Sequence, residues 1–412
     1  MRRAALVVFL LMQITLLFDF PPAIHLALAT LAVLGVACTA WCERRPFDEA
    51  AKVSLIVTLI AAVMAPAVFA SRSARGADMM LELEWNDRRI EGMPVDWSAS
   101  RVRLLGRDGR LWDVPPAEVK SFRRTASQFT SYSLAEMRGQ LMREFGHAFD
   151  VSGAGLYLVV HPKGEKDQWA HRFEDIYRVF VRYFSVRGLA PARPAVPLVA
   201  VVFPTRQGFA KYAAQTGARI GPGVLGYYSP STNRVLLYDV SRETGQQEHW
   251  QINAETIIHE AAHQVAFNTG IHSRSAMPPR WVAEGLGTLF EAPGVWAPRK
   301  FPNQQHRFNR VRLRDFQNRA ATRPQGFLPQ FVSSDRIFGS DPLAAYAEAW
   351  ALTFFLMETR PRDYAKYLGK TAQGAGGMDS NAVERLKTFT DCFGADLQLL
   401  EAHYLRYIGS LK

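Results

Sequence analysis

His259-Glu260-Ala261-Ala262-His263 is the stretch on which the fold turns. It lies in a polar-flanked run where Ile257, Ile258, Ala261, Val265 and Ala266 supply an apolar surface, a spacing that predicts an amphipathic helix. Histidines at i and i+4 share one helical face, so both imidazoles reach a single ion, while the glutamate beside the first meets a water held there. The spacing points to a metal-dependent hydrolase. Asn253 is the expected N-cap, Glu255 favours the first turn and Gly270 stands where a stop belongs, which places the helix over residues 254–268.

Two histidines leave a third ligand to be found. Pro279-Arg280-Trp281-Val282-Ala283-Glu284-Gly285-Leu286-Gly287 begins a second helix with proline at its first turn, and puts a carboxylate early on that helix. His259, His263 and Glu284 then make a His2Glu set with a fourth position left to water, the donor set of a catalytic zinc site.

At these residues the sequence resembles the gluzincins, zinc peptidases whose third ligand is a glutamate on a helix downstream of HExxH. The run from Trp281 to Gly285 looks like the Trp-x-x-Glu-Gly stretch of the M1 aminopeptidases, and the separation of His263 from Glu284 is similar to theirs. A longer pattern adds Gln264, Phe267-Asn268, Trp281 through Glu291, and Tyr346-Ala347-Glu348-Ala349-Trp350-Ala351-Leu352. It resembles an uncharacterised bacterial family grouped with the MA-clan peptidases, over residues 150–370. The resemblance implies an α+β zincin-like fold, with His259, His263 and Glu284 as zinc ligands and Glu260 as general base. Zinc would lower the pKa of its water and polarise the scissile carbonyl, while Glu260 takes the water's proton and passes it to the leaving amine. Tyr346 is placed like the tyrosine that M1 enzymes direct at the oxyanion. It opens a helix with Asp341 as cap and Pro342 at the first position, although a core role beside Trp350 and Phe354 fits the same residue.

Two departures from the family pattern bear on activity. The Gly-x-Met-Glu-Asn element with which M1 enzymes hold a free amino terminus is absent, and Tyr227–Asn233 occupies the comparable interval, which argues against strict aminopeptidase action. The acidic residue that thermolysin-like members carry four positions after the ligand glutamate is here Thr288. Glu291 is then either the outer hydrogen-bond partner of a ligand imidazole or an exposed helix-end carboxylate.

Away from the motif, three nearly charge-free runs at residues 4–20, 23–41 and 53–70 are each near the length that spans a bilayer, and predict three membrane helices within residues 1–76. A cleaved signal peptide is the rival for the first run, but two more runs follow at once and no small-residue cleavage site intervenes. Arg2, Arg3, Arg44, Arg45 and Lys52 would share the cytoplasmic side, which puts residues 71–412 on the extracytoplasmic face of an inner membrane. Residues 78–125 alternate as short strands around Asp108-Gly109 and predict a small β module. From 134 to 412 the pattern is mixed, with a helix over 134–145, strands at 156–160 and 198–203, an apolar helix face from Trp169 to Phe184, and a hairpin at 226–238. Its second strand, Arg234–Tyr238, is a candidate edge for an extended substrate, or an ordinary hairpin strand.

The net charge of +11 suits anionic lipid, envelope polymers or acidic substrates, and export makes nucleic acid a poor partner. Arg299, Lys300, Arg307, Arg310, Arg312, Arg314, Arg319 and Arg323 gather against only Asp315, as a solvated face or flexible loop, or as a site for anionic headgroups, envelope polymers or an acidic substrate. His272 does not match the third histidine of the metzincins and reads as a surface residue. The combined expectation is a membrane-tethered zinc metallopeptidase that hydrolyses peptide bonds. A catalytically silent zincin-fold binding protein of the envelope, and a zinc amidase acting on a non-protein envelope amide, are the alternatives.

Overall fold

In strands β1 (Met80–Trp85), β2 (Arg88–Trp97), β3 (Val102–Gly106), β4 (Leu111–Val114) and β5 (Ser121–Ala126), period-two alternation turns Leu81, Leu83, Ile90, Val102, Leu104 and Val114 to one side. These residues form the small core of an antiparallel sheet ordered β4-β3-β2-β1-β5. Leu83 pairs with Ile90 across a tight turn in which Asn86 and Asp87 both take positive φ, the backbone a two-residue hairpin needs. The structure is a computed structural model and describes residues 79–97, 101–164, 168–244 and 250–412.

The second sheet follows from continuous apolar runs. Strands β6 (Phe149–Ala154), β7 (Tyr157–Pro162), β8 (Leu198–Phe203), β9 (Gly226–Ser229) and β10 (Arg234–Tyr238) lie in the order β6-β7-β8-β10-β9. The middle three are parallel and the two edges antiparallel. Both faces are covered, which is why β7, β8 and β10 are apolar without alternation. One face, with Val159, Ala200, Val202 and Val235, packs on α2 (Gln168–Ser185) and on the long helix α5 (Trp250–Asn268). The other, with Val160, Val201 and Leu236, packs on α1 (Leu134–Phe145) and α3 (Arg206–Gln215).

After α4 (Val240–Thr244) and α5 the chain is helical: α6 (Arg280–Phe290), α7 (Pro293–Trp296), α8 (Arg310–Arg319), α9 (Leu328–Ser333), α10 (Ile337–Ser340), α11 (Pro342–Thr359), α12 (Pro361–Ala372), α13 (Ala382–Phe393) and α14 (Leu397–Gly409). Helix α11 is the centre of this half, buried along most of its length against α6, α8 and α14. A Cβ on Gly285 would come within 2.6 Å of the Ala349 carbonyl oxygen, so glycine is what lets α6 and α11 lie this close.

Several expectations need correction. The fold is α+β with a β-rich N-terminal module, and the three membrane helices do not belong in its description. Among the described residues no helix is long and apolar enough to cross a membrane. The long helices α2, α5 and α11 bury their apolar surface in the globular core instead of presenting it to lipid. The runs at 4–20, 23–41 and 53–70 lie outside the described residues. The hairpin edge is Gly226–Ser229, since Arg234–Tyr238 is flanked on both sides by β8 and β9. Helix α5 begins a turn early, at Trp250, because the buried Asn253 is used sideways: its amide accepts from the Val240 N–H and donates to Asp239. Strands β2 and β5 escape the sequence pattern for physical reasons. The first carries Gly92, Pro94 and a register shift, and the second is an exposed edge without alternation.

Candidate metal centre

Helix α5 presents His259 and His263 one turn apart, with their Nε2 atoms 3.0 Å from each other. Helix α6 brings Glu284 across the gap, its Oε2 lying 3.4 Å from His259 Nε2 and 3.6 Å from His263 Nε2. One ligand atom from each of the three falls within 4.8 Å of the others. Two imidazole nitrogens facing each other beside a carboxylate need a proton or a cation between them, so the three residues could hold a metal ion.

The electrostatics express the same demand. Burial disfavours a charged His259, yet its hydrogen bonds to Glu284 and Glu291 outweigh this and hold its pKa well above the ordinary histidine range. Burial would raise Glu284, but the two imidazoles drive its carboxyl far below the usual carboxylate range.

Around the three residues the neighbouring chain fixes each orientation. His259 Nδ1 meets Glu291 Oε1 at 2.7 Å, which leaves Nε2 for the metal, and Asn309 donates to the other oxygen of Glu291 at 2.5 Å. Glu291 is thus bonded to the imidazole of the candidate ligand His259 and is not an exposed helix-end carboxylate. Gly287 makes room for that ring: a Cβ there would lie 2.7–3.0 Å from three atoms of the His259 imidazole. Thr288 turns its hydroxyl back onto the Glu284 carbonyl, so it offers the site nothing in place of a carboxylate.

Glu260 reaches the edge of the sheet, where its Oε2 accepts from the Tyr228 backbone N–H at 2.6 Å. That amide belongs to β9, the edge strand, whose turn is tied to α5 through Gln264 donating to the Asn233 carbonyl and Asn268 donating to the Asn233 side chain. Asn233 takes positive φ there.

Tyr346 sits in the first turns of α11, whose N-cap Asp341 accepts from the Ala344 N–H with Pro342 at the first position. It is partly buried, edge-on to Phe338, and lies against both Glu284 and Arg280. Burial and the Glu284 charge push its hydroxyl pKa up, which keeps the proton on at neutral pH. It therefore packs on the core and faces the site at once. His272 is neither a surface residue nor part of the cluster: it is buried, with Nδ1 against the Ile271 carbonyl, and burial depresses its pKa to about 3.

Part of the arginine-rich segment is spent internally. Arg307 pairs with Glu358, Arg319 with Asp341, and Arg323 with Glu348 and Glu401, while Arg312 comes only to 3.8 Å from Asp315. A cavity of about 750 Å³ is lined by Phe316, Arg323, Glu401 and Leu405 among others and contains none of His259, His263 and Glu284.

A family described as a protein of unknown function (DUF1570) matches residues 253–375, the segment from within α5 through α12. It therefore spans His259, Glu260, His263, Glu284, Glu291 and Tyr346, and its description assigns no activity. A search of curated proteins finds no match to the chain.

Proposed function

We propose that the chain is a zinc-dependent hydrolase of peptide bonds, built on the gluzincin plan. The observation that carries this reading is the convergence of His259, His263 and Glu284 beside Glu260, the one acidic side chain of the motif that is not a candidate ligand. His259 and His263 from α5 and Glu284 from α6 would hold the ion. Zinc, when bound, supplies Lewis acidity, lowering the pKa of a water in its open position and polarising the substrate carbonyl.

The protein's own residues do the rest. Glu260, steadied at one carboxylate oxygen by the Tyr228 amide, accepts the proton of the attacking water at the other and returns it to the leaving nitrogen. Tyr346, kept protonated, donates its hydroxyl hydrogen to the oxyanion that develops on the substrate carbonyl. Glu291 holds the His259 ring in the tautomer whose Nε2 lone pair faces the site. A peptide is favoured over other amides because β9, a strand edge without a further strand partner among the described residues, runs beside Glu260 and suits an extended backbone.

The test separates binding from chemistry. Glu260→Gln should retain zinc and lose peptide hydrolysis by roughly 100-fold or more, the scale of a general-base contribution. Zinc content and turnover of a quenched peptide library are the two readouts, and near-wild-type turnover in the variant would remove Glu260 from the mechanism.

A further inference from the structure

On the basis of the hydrolase reading, we propose that Arg280 and Arg312 form a carboxylate-binding subsite beside the metal centre, which takes an acidic side chain or the free C terminus of the substrate.

Neither guanidinium has a close carboxylate partner. Arg307, Arg319 and Arg323 each have a carboxylate oxygen within 2.9 Å. Arg312 has only Asp315, at 3.8 Å, and its Nε is shielded from solvent without a hydrogen-bond partner. Arg280 has for its nearest acid Glu284, at 3.7 Å, a residue whose charge a metal would claim. Its side chain is 43% exposed and open to a ligand.

Their placement directs them to the substrate. The Arg312 guanidinium lies 5.3 Å from the centre of the Tyr346 ring, and that of Arg280 lies 4.7 Å from the Phe338 ring. Phe338 and Tyr346 meet edge to face with centroids 5.7 Å apart, so the two cations ride on adjoining rings of one wall. Tyr346 in that wall faces Glu284, and Arg280 bears on its hydroxyl as well. A substrate whose carbonyl is held near Tyr346 therefore carries its neighbouring groups past both arginines. Planar guanidiniums match a carboxylate with paired N–H bonds, and a peptide offers that group only at an acidic side chain or its C terminus.

The test measures binding, with hydrolysis as a separate readout. Three probes are titrated calorimetrically into the full chain: N-acetyl-trialanine with a free carboxylate, N-acetyl-Ala-Glu-Ala amide, and neutral N-acetyl-trialanine amide. At least one carboxylate peptide should bind about 10-fold or more tightly than the neutral one, the weight of a charged hydrogen bond. Which of the two gains identifies the source of the carboxylate. Arg312→Gln should erase the margin and leave the neutral peptide unchanged. Arg312→Met, which keeps the packing of the stem, should do the same, and Arg314→Ala on the exposed face of α8 should not. Equal binding of all three peptides, or a margin that survives both Arg312 variants, overturns the proposal. A margin that disappears when a chelator strips the protein and ignores Arg312 also overturns it, since the carboxylate is then bound by the metal alone. An Arg312-dependent margin without hydrolysis of any peptide keeps the subsite and removes the peptidase reading.

Discussion

Glu291 and Gly287 do for His259 what the motif cannot do by itself. The motif supplies an imidazole on the right face of α5, but the Glu291 carboxylate fixes which nitrogen turns inward and Gly287 leaves space for the ring. Glu291→Ala should therefore weaken zinc binding by roughly 10–100-fold while the fold persists, as loss of an outer ligand partner does elsewhere. Competition with a chromogenic chelator measures it, and unchanged affinity would show that His259 is oriented by packing alone. His259, Glu260, His263 and Glu284 were legible in the sequence because helical periodicity alone puts the first three on neighbouring positions and a second helix follows at once. Glu291 was half legible, since a carboxylate two turns beyond Glu284 reads equally well as a surface charge. The Tyr228 amide was not legible at all, because a backbone donor leaves no mark in a side-chain pattern.

At the scale of elements, the site depends on α6 being pressed against both α5 and α11. Helix α11 is held from its far side by a buried ion network: Arg323, after α8, bonds Glu348 of α11 at 2.6 Å and Glu401 of α14 at 2.5 Å, with all three side chains nearly inaccessible. Arg323→Met would leave two carboxylates buried together without their counter-charge, and should cost about 3–5 kcal/mol of stability. Denaturant unfolding of the variant checks this, and a loss below about 1 kcal/mol would place the network in the class of surface ion pairs. The sequence showed the helices and the caps, including Asp341 before Pro342, because these are local signals. It read the arginines of residues 299–323 as one basic face, because their partners Glu348, Glu358 and Glu401 are far away along the chain. The edge strand was misassigned within a correctly read hairpin for the same reason: which strand of a pair meets β8 is decided by parallel pairing at long range.

Across the whole molecule, the β module is joined to the rest by specific bonds. Leu111 N–H donates to the Ser231 carbonyl at 2.7 Å and Arg103 to the Ser275 carbonyl at 3.0 Å, and outside the module Arg274 ties the same loop to the same turn by donating to the Pro230 carbonyl at 2.7 Å. These bonds grip the turn between β9 and β10 and the loop after α5, so the module buttresses the strand that carries the Tyr228 amide. Which turn and loop it grips could not be read from the sequence, since none of its residues bears chemistry. In the same loop, buried His272 has a folded-state pKa of about 3 against an ordinary 6.5. Between those values the unfolded chain takes a proton that the folded chain refuses. Stability from this group is thus complete above 6.5 and is lost as pH falls, by about 1.4 kcal/mol for each pH unit. Unfolding free energies of wild type and His272→Gln should converge by that slope on acidification from about pH 6 to 4. Parallel curves would mean that His272 titrates normally in the folded chain.

On the proposed reading, α5 and α6 together make one metal centre. Bound zinc per full-length chain, measured by atomic emission for the wild type, His263→Ala and Glu284→Ala, tests it most directly. One equivalent in the wild type that is lost from both variants is the result this account predicts; a folded wild type that takes up no zinc, or variants that both keep it, would contradict it.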